Sequence, residues 1–218
     1  MVQELRQRTS RTRDVDSVLD LALECPAGNA GDILARHAES RREHAEWLER
    51  RGLRAEYVAF RLKESVLLLR ESMPELALRA VHDAWCAARR ALSPQARALV
   101  LTQLGDCLRE RGDLRAALRA ARRAEALLVA AEGDSLPQVL AVRAQIVSLM
   151  RARGMDTSFV EERMQRTLNG LAAEVRDEDG RRRLQRLEQV FTHSVRPPCW
   201  ASLFFQRWRP VHSPGRDD

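Results

Sequence analysis

Residues 98–131, ALVLTQLGDCLRERGDLRAALRAARRAEALLVAA, decide the fold. Leu101, Leu104 and Leu108 recur at the spacing of one helical face, and Gly112 then interrupts the pattern before a second helical run begins. Each part has a physical use. Gly105 and Ala117 lack bulk where two paired helices would cross, and Gly112 can adopt the left-handed conformation of a tight turn. Ala124 leaves room for a following helix, while Leu114 and Leu118 fill the space between. The stretch therefore predicts a helix, a short turn and a second helix packed back on the first.

The same arrangement recurs on both sides. Forty residues earlier, Ala77, Leu78, Ala80 and Ala84 stand where Ala117, Leu118, Ala120 and Ala124 stand here, with Ser65 and Ser72 in place of the two glycines. Forty-two residues later, Met150 and Gly154 repeat Leu108 and Gly112, but Phe159 takes the place of Ala117, where smallness matters. Gly112, Gly133 and Gly154 mark turns about every 21 residues. Working outward, the spacing predicts a short helix over 14–24 ended by Pro26 and Gly28, a long one over 32–51 stopped by Gly52, and another over 55–71. Pro74 sits where the next helix begins. The stripe Leu76, Ala77, Ala80, Val81, Ala84, Ala87, Ala88, Ala91 follows, and Ser93 with Pro94 reads as a cap and first residue. Asp134 or Ser135, and Asp156, are further caps. No stretch alternates with period two for long enough to make a sheet.

Tight helix pairs at a fixed period bury their apolar faces only by stacking, which is the mark of a solenoid. On the residues quoted, 98–131 resembles one tetratricopeptide repeat. The period of roughly 40 and the AEGD linker at 131–134 are most similar to the longer variety in MalT-like bacterial regulators, over about residues 55–175. The resemblance implies an all-α fold, a right-handed antiparallel helix-pair solenoid of about eight to nine helices, occupying residues 14–194 between a flexible basic N-terminus (1–13) and a proline- and aromatic-rich tail (195–218). It also implies binding rather than chemistry: an adaptor or sensor that takes a protein or peptide in its concave groove. The first helix of each pair usually lines that groove, so Thr102, Asp106, Arg109, Ser148 and Arg151 become partner-binding candidates, with Arg109 and Arg151 in matching places. The lysines and asparagines of carboxylate-clamp relatives are missing, as are a G-x-x-x-x-G-K-[ST] loop and a helix-turn-helix. The chain resembles the sensor array alone, or the regulatory part of a larger signalling enzyme.

Composition agrees with helices and narrows the function classes. The chain has 218 residues, 44% hydrophobic and 31% charged, so it can bury a sizeable core; aromatics are only 5%. Its net charge of +6 comes almost wholly from arginine, Lys63 being the lone lysine, but 31 acids are interspersed with the 37 bases. An arginine-rich nucleic-acid-binding accessory protein is thus the second reading. Arg115, Arg119 and Arg122, with Arg123, form a stripe that would meet phosphates if it is open, although a solvated face is the simpler account. Cys25, Cys86, Cys107 and Cys199 are too scattered for a disulfide framework, which points to a reducing cytoplasm. Asp16, Asp20 and Glu24 interrupt the early apolar stretch, so no signal-peptide core is expected, and no run approaches the length needed to span a bilayer. His82 with Cys86, and His37 with His44, share helical faces, but two ligands do not make a zinc site. No nucleophile, base or carboxylate pair stands in a catalytic setting, so neither an enzyme nor a bound cofactor is expected.

The tail breaks the pattern. Phe191, Trp200, Phe204, Phe205 and Trp208 are five of the chain's ten aromatics, and Trp200, Phe204 and Trp208 fall four residues apart between Pro198 and Pro210. They predict a small helix that caps the last repeat, docks on a partner, which makes these three further partner-binding candidates, or, with Arg207 and Arg209, rests on a membrane surface.

Overall fold

Four helices end in the same turn, and that turn sets the architecture. The computed structural model describes residues 30–131 and 136–174, together with Leu19, Leu23 and Gln185. Among them are eight helices and no strand: α1 (Ala30–Arg36), α2 (Ala38–Arg50), α3 (Arg54–Arg70), α4 (Pro74–Ala91), α5 (Pro94–Glu110), α6 (Leu114–Ala130), α7 (Leu136–Ala152) and α8 (Ser158–Glu174). After α2, α3, α5 and α7, the residue past the helix adopts positive φ: Gly52 at 70°, Ser72 at 58°, Gly112 at 88° and Gly154 at 66°. Its N–H bonds three residues back and the next N–H five residues back, as from Gly112 to Arg109 and from Asp113 to Leu108, which satisfies the last carbonyls of the helix. Ser72 thus takes the strained conformation that glycine takes in its counterparts. Three of the turns are followed at once by the next helix, with Leu53, Met73 and Asp113 at its N-terminus in closely similar backbone conformations.

The caps follow the sequence signals. Ser93 accepts a hydrogen bond from the Ala96 N–H at 3.2 Å and Asp113 one from the Ala116 N–H at 3.0 Å. Pro74 and Pro94 each occupy a first turn, where the missing N–H costs nothing. Asp156 accepts from the Ser158 N–H at 3.0 Å, just ahead of α8. The caps at Asp134 and Ser135 and the Gly133 turn lie outside the described residues, as do most of the 14–24 helix, the N-terminus and the tail. Of that early helix, Leu19 is buried, and the Leu23 carbonyl accepts from Arg70 at 2.8 Å.

The helices form two compact units, α1–α4 and α5–α8. In the first, α3 packs on α4, α2 and α1. The single helix expected over 32–51 is divided at His37, whose φ of −104° and ψ of 16° leave the helical region. Arg41 Nη2 donates to the Leu34 carbonyl at 2.9 Å, taking the acceptor that an unbroken helix would offer to the Ala38 N–H. The core is formed by Val58, Phe60, Leu62, Val66 and Leu67 of α3 against Ala77, Ala80, Val81, Ala84 and Ala88 of α4. Leu76 leaves the predicted apolar stripe and is exposed.

In the second unit α6 packs on α5 and α7, and α8 packs on α7. Ala117, Ala121, Ala124 and Leu128 form the buried stripe of α6. At the α7–α8 end, Leu140 and Val147 meet Met164 and Leu168, with Ala144 and Val160 beside them. Phe159, aligned with Ala117, is instead 65% exposed. The reason is local: Met155, Asp156 and Thr157 separate Gly154 from α8, two residues more than separate Gly112 from α6, so α8 turns a different face inward.

Candidate functional site

The candidate contacts on the first helices divide sharply by burial. Thr102 is fully buried and its hydroxyl donates to the Ala98 carbonyl of its own helix at 2.9 Å. Asp106 is 1% exposed, and its Oδ1 accepts from Gln145 Nε2 at 2.8 Å. Neither lines an open groove, which corrects the expectation drawn from the resemblance. The physical cause is α7, whose Gln145 amide also donates to the Thr102 carbonyl at 2.9 Å and lies in the space left by Gly105. A Cβ at Gly105 would come within 3.0 Å of Gln145 Nε2, so this glycine admits the next pair's first helix rather than easing the α5–α6 crossing.

Arg109, Ser148 and Arg151 remain accessible to different degrees. Arg109 and Arg151 lie in the last turns of α5 and α7, where a cation faces the negative end of the helix. The Arg109 side chain is 20% exposed and pairs with Glu110 at 2.9 Å and Asp106 at 3.7 Å. The Arg151 side chain is 65% exposed and reaches Glu161 of α8 at 2.8 Å. Ser148 is half-buried. Each arginine therefore has a carboxylate of its own, and an exposed pair of the Arg151 kind is worth only about 0–1 kcal/mol, weak enough to exchange for another carboxylate. Trp200, Phe204 and Trp208 lie outside the described residues.

The strongest polar organisation was not anticipated. Arg143 of α7 is buried, with Nε donating to Glu125 of α6 at 2.7 Å and Nη1 to Thr167 of α8 at 2.8 Å. Arg163 approaches the same Glu125 carboxylate at 3.4 Å. In the first unit, buried Glu64 accepts from Arg61 at 2.9 Å and also from Arg41 of α2, while Arg61 lies 3.5 Å from Asp83 of α4. Burial raises the Tyr57 phenol above its ordinary value, opposed by the hydrogen bond from Arg61 Nε. Such groups hold helices in register, because an unpaired charge at these depths costs several kcal/mol. The sequence signal was available: Arg143, Gln145 and Ser148 are the only polar residues of the run VLAVRAQIVSLM at 139–150.

The remaining candidates stay dispersed. His44 is buried against Phe60, edge to face at 4.8 Å, and stacks near Trp47. His37 is half-buried at the helix break, His82 is exposed and Cys86 is half-buried. Among the described residues, no group of three or more His, Cys, Asp or Glu side chains is arranged to hold a metal ion, and no helix is long and apolar enough to cross a membrane. Arg115, Arg119, Arg122 and Arg123 of α6 are all exposed. No protein-family model matches the chain, and no curated protein matches it in sequence.

Proposed function

We propose that this chain is a non-enzymatic helical-repeat binding module of the tetratricopeptide kind, stacked as a right-handed solenoid, that takes a protein or peptide partner in regulation or signalling. The observation that carries the reading is the repetition of one turn. Gly52, Ser72, Gly112 and Gly154 close α2, α3, α5 and α7 with the same left-handed conformation and the same paired hydrogen bonds. Alanine stripes on α4 and α6 supply the close packing that such units need. With Thr102 and Asp106 enclosed, the surface favoured for the partner is the rim carrying Arg109, Ser148 and Arg151, and its chemistry suits a carboxylate.

The test is capture from native lysate by the full chain and by an Arg109→Ala/Arg151→Ala variant whose circular dichroism matches the parent. A partner retained by the parent and lost by the variant supports the assignment. A partner that binds both alike places the interface elsewhere.

A further inference from the structure

The exposed face of α6 carries a charge pattern that helix stability does not explain. Arg115, Arg119 and Arg122 lie at i, i+4 and i+7, so they share one face along roughly 10 Å of axis. All three are exposed, and among the described residues no carboxylate pairs with them. The only acid of α6 is Glu125, which is committed to Arg143 and Arg163. Some exposed arginines on other helices are paired: Arg42 with Glu39 and Glu46, Arg50 with Glu46, and Arg166 with Glu162. Arg115 also stands in the first turn of its helix, the positive end of its dipole and the wrong end for a cation. The repeat carries part of the pattern elsewhere, since Arg79 and His82 of α4, both exposed, occupy the places of Arg119 and Arg122 forty residues on.

We propose that this face binds the phosphate backbone of duplex nucleic acid, with Arg115, Arg119 and Arg122 as the phosphate contacts. Guanidinium groups match phosphate bidentately. The length of the stripe is that of about three nucleotide steps on one strand. A protein interface of this size would need an apolar or aromatic anchor at its centre. Between these arginines the exposed face offers no large apolar side chain, and Val129 lies well beyond them. The face has no aromatic to stack an unpaired base, which favours a duplex over a single strand. The proposal goes beyond the partner rim of α5 and α7 and stands independently of it.

The test is fluorescence anisotropy of a labelled mixed-sequence duplex titrated with the full chain over a series of salt concentrations. Each lost phosphate contact flattens the slope of log K against log salt by about 0.9, so Arg115→Gln/Arg119→Gln/Arg122→Gln flattens it by about 2.7. Arg119→Gln alone flattens it by about 0.9 and reads the same contact if the triple variant is unstable. The control Arg42→Gln/Arg50→Gln/Arg166→Gln removes the same charge from paired positions and leaves the slope near that of the parent. Absence of duplex binding at low salt overturns the proposal, as does equal loss in the two triple variants. Equal or tighter binding of a single strand, or of an acidic peptide, at the same salt also overturns it.

Discussion

Replacing Gly105 by alanine should destabilise the second unit, although the same change inside an ordinary helix is stabilising. Alanine gains about 1 kcal/mol over glycine in a helix interior. Against this, the new Cβ would lie 3.0 Å from Gln145 Nε2, so the amide has to move. Gln145 is fully buried and its Nε2 holds both the Thr102 carbonyl and Asp106 Oδ1. Weakening those bonds costs about 1–2 kcal/mol and crowding a packed helix interface a further 1–3 kcal/mol. The net expectation is a loss of about 2 kcal/mol, or a fall of about 1 M in the urea midpoint of this unit's transition, followed by circular dichroism. The control reverses the sign. In a Gln145→Ala background the obstacle is gone, and Gly105→Ala should regain its helical advantage of about 1 kcal/mol. The coupling between the two positions is then near 3 kcal/mol, at the upper end for residues in contact. If Gly105→Ala is as stable as the parent in the native background, the account of how α5 and α7 meet is wrong.

Ser72→Gly should stabilise the first unit by about 0.5–1 kcal/mol, since it relieves a left-handed non-glycine residue; thermal melts read this directly, and a lower midpoint contradicts the turn geometry. Gly112→Ala should cost about 1 kcal/mol in the second unit for the converse reason, again read by thermal melting. Glu64→Ala should cost about 3 kcal/mol in a urea titration because Arg41 and Arg61 lose their shared buried acceptor, and adding Arg41→Leu should restore part of it. The α7–α8 turn should weaken in acid. Hydrogen bonds from the Ser158 N–H and hydroxyl hold Asp156 below its ordinary 3.8, and the Thr157 hydroxyl, then Arg151, hold Glu161 below its ordinary 4.5. Their stabilisation is complete above the unfolded values and is lost as the pH falls through the folded ones, so Asp156→Asn/Glu161→Gln should flatten that dependence in amide exchange of α8.

Most of the helical layout was legible because its signals are local. Pro74, Pro94, Ser93, Gly52, Gly112 and Gly154 act through the backbone within a turn, and the helix boundaries beside them follow from them. What escaped depends on side chains meeting across distance. The break at His37 needs the Arg41 guanidinium to reach Leu34, seven residues away. The exposure of Phe159 depends on two additional turn residues, a small change in sequence that rotates a whole helix face. Thr102 and Asp106 are polar residues on a helix that the resemblance leaves open, but Gln145, some forty residues on, covers them. Ser72 could be read as a degenerate glycine but not as one held in glycine's own conformation.

The fit of Gln145 into the notch at Gly105 also makes the units non-interchangeable. In an array of identical repeats, one pair can be duplicated or exchanged for another because every face matches every other. Here the place equivalent to Gly105 is Val147 on α7 and Ser65 on α3, so neither offers the same notch. Inserting a copy of the α7–α8 pair between α6 and α7 would set Gln145 against Val147 instead of Gly105 and bury an amide against a branched side chain. The joint is therefore selective: a pair can precede α7 only if it carries glycine at the place that takes the Gln145 amide.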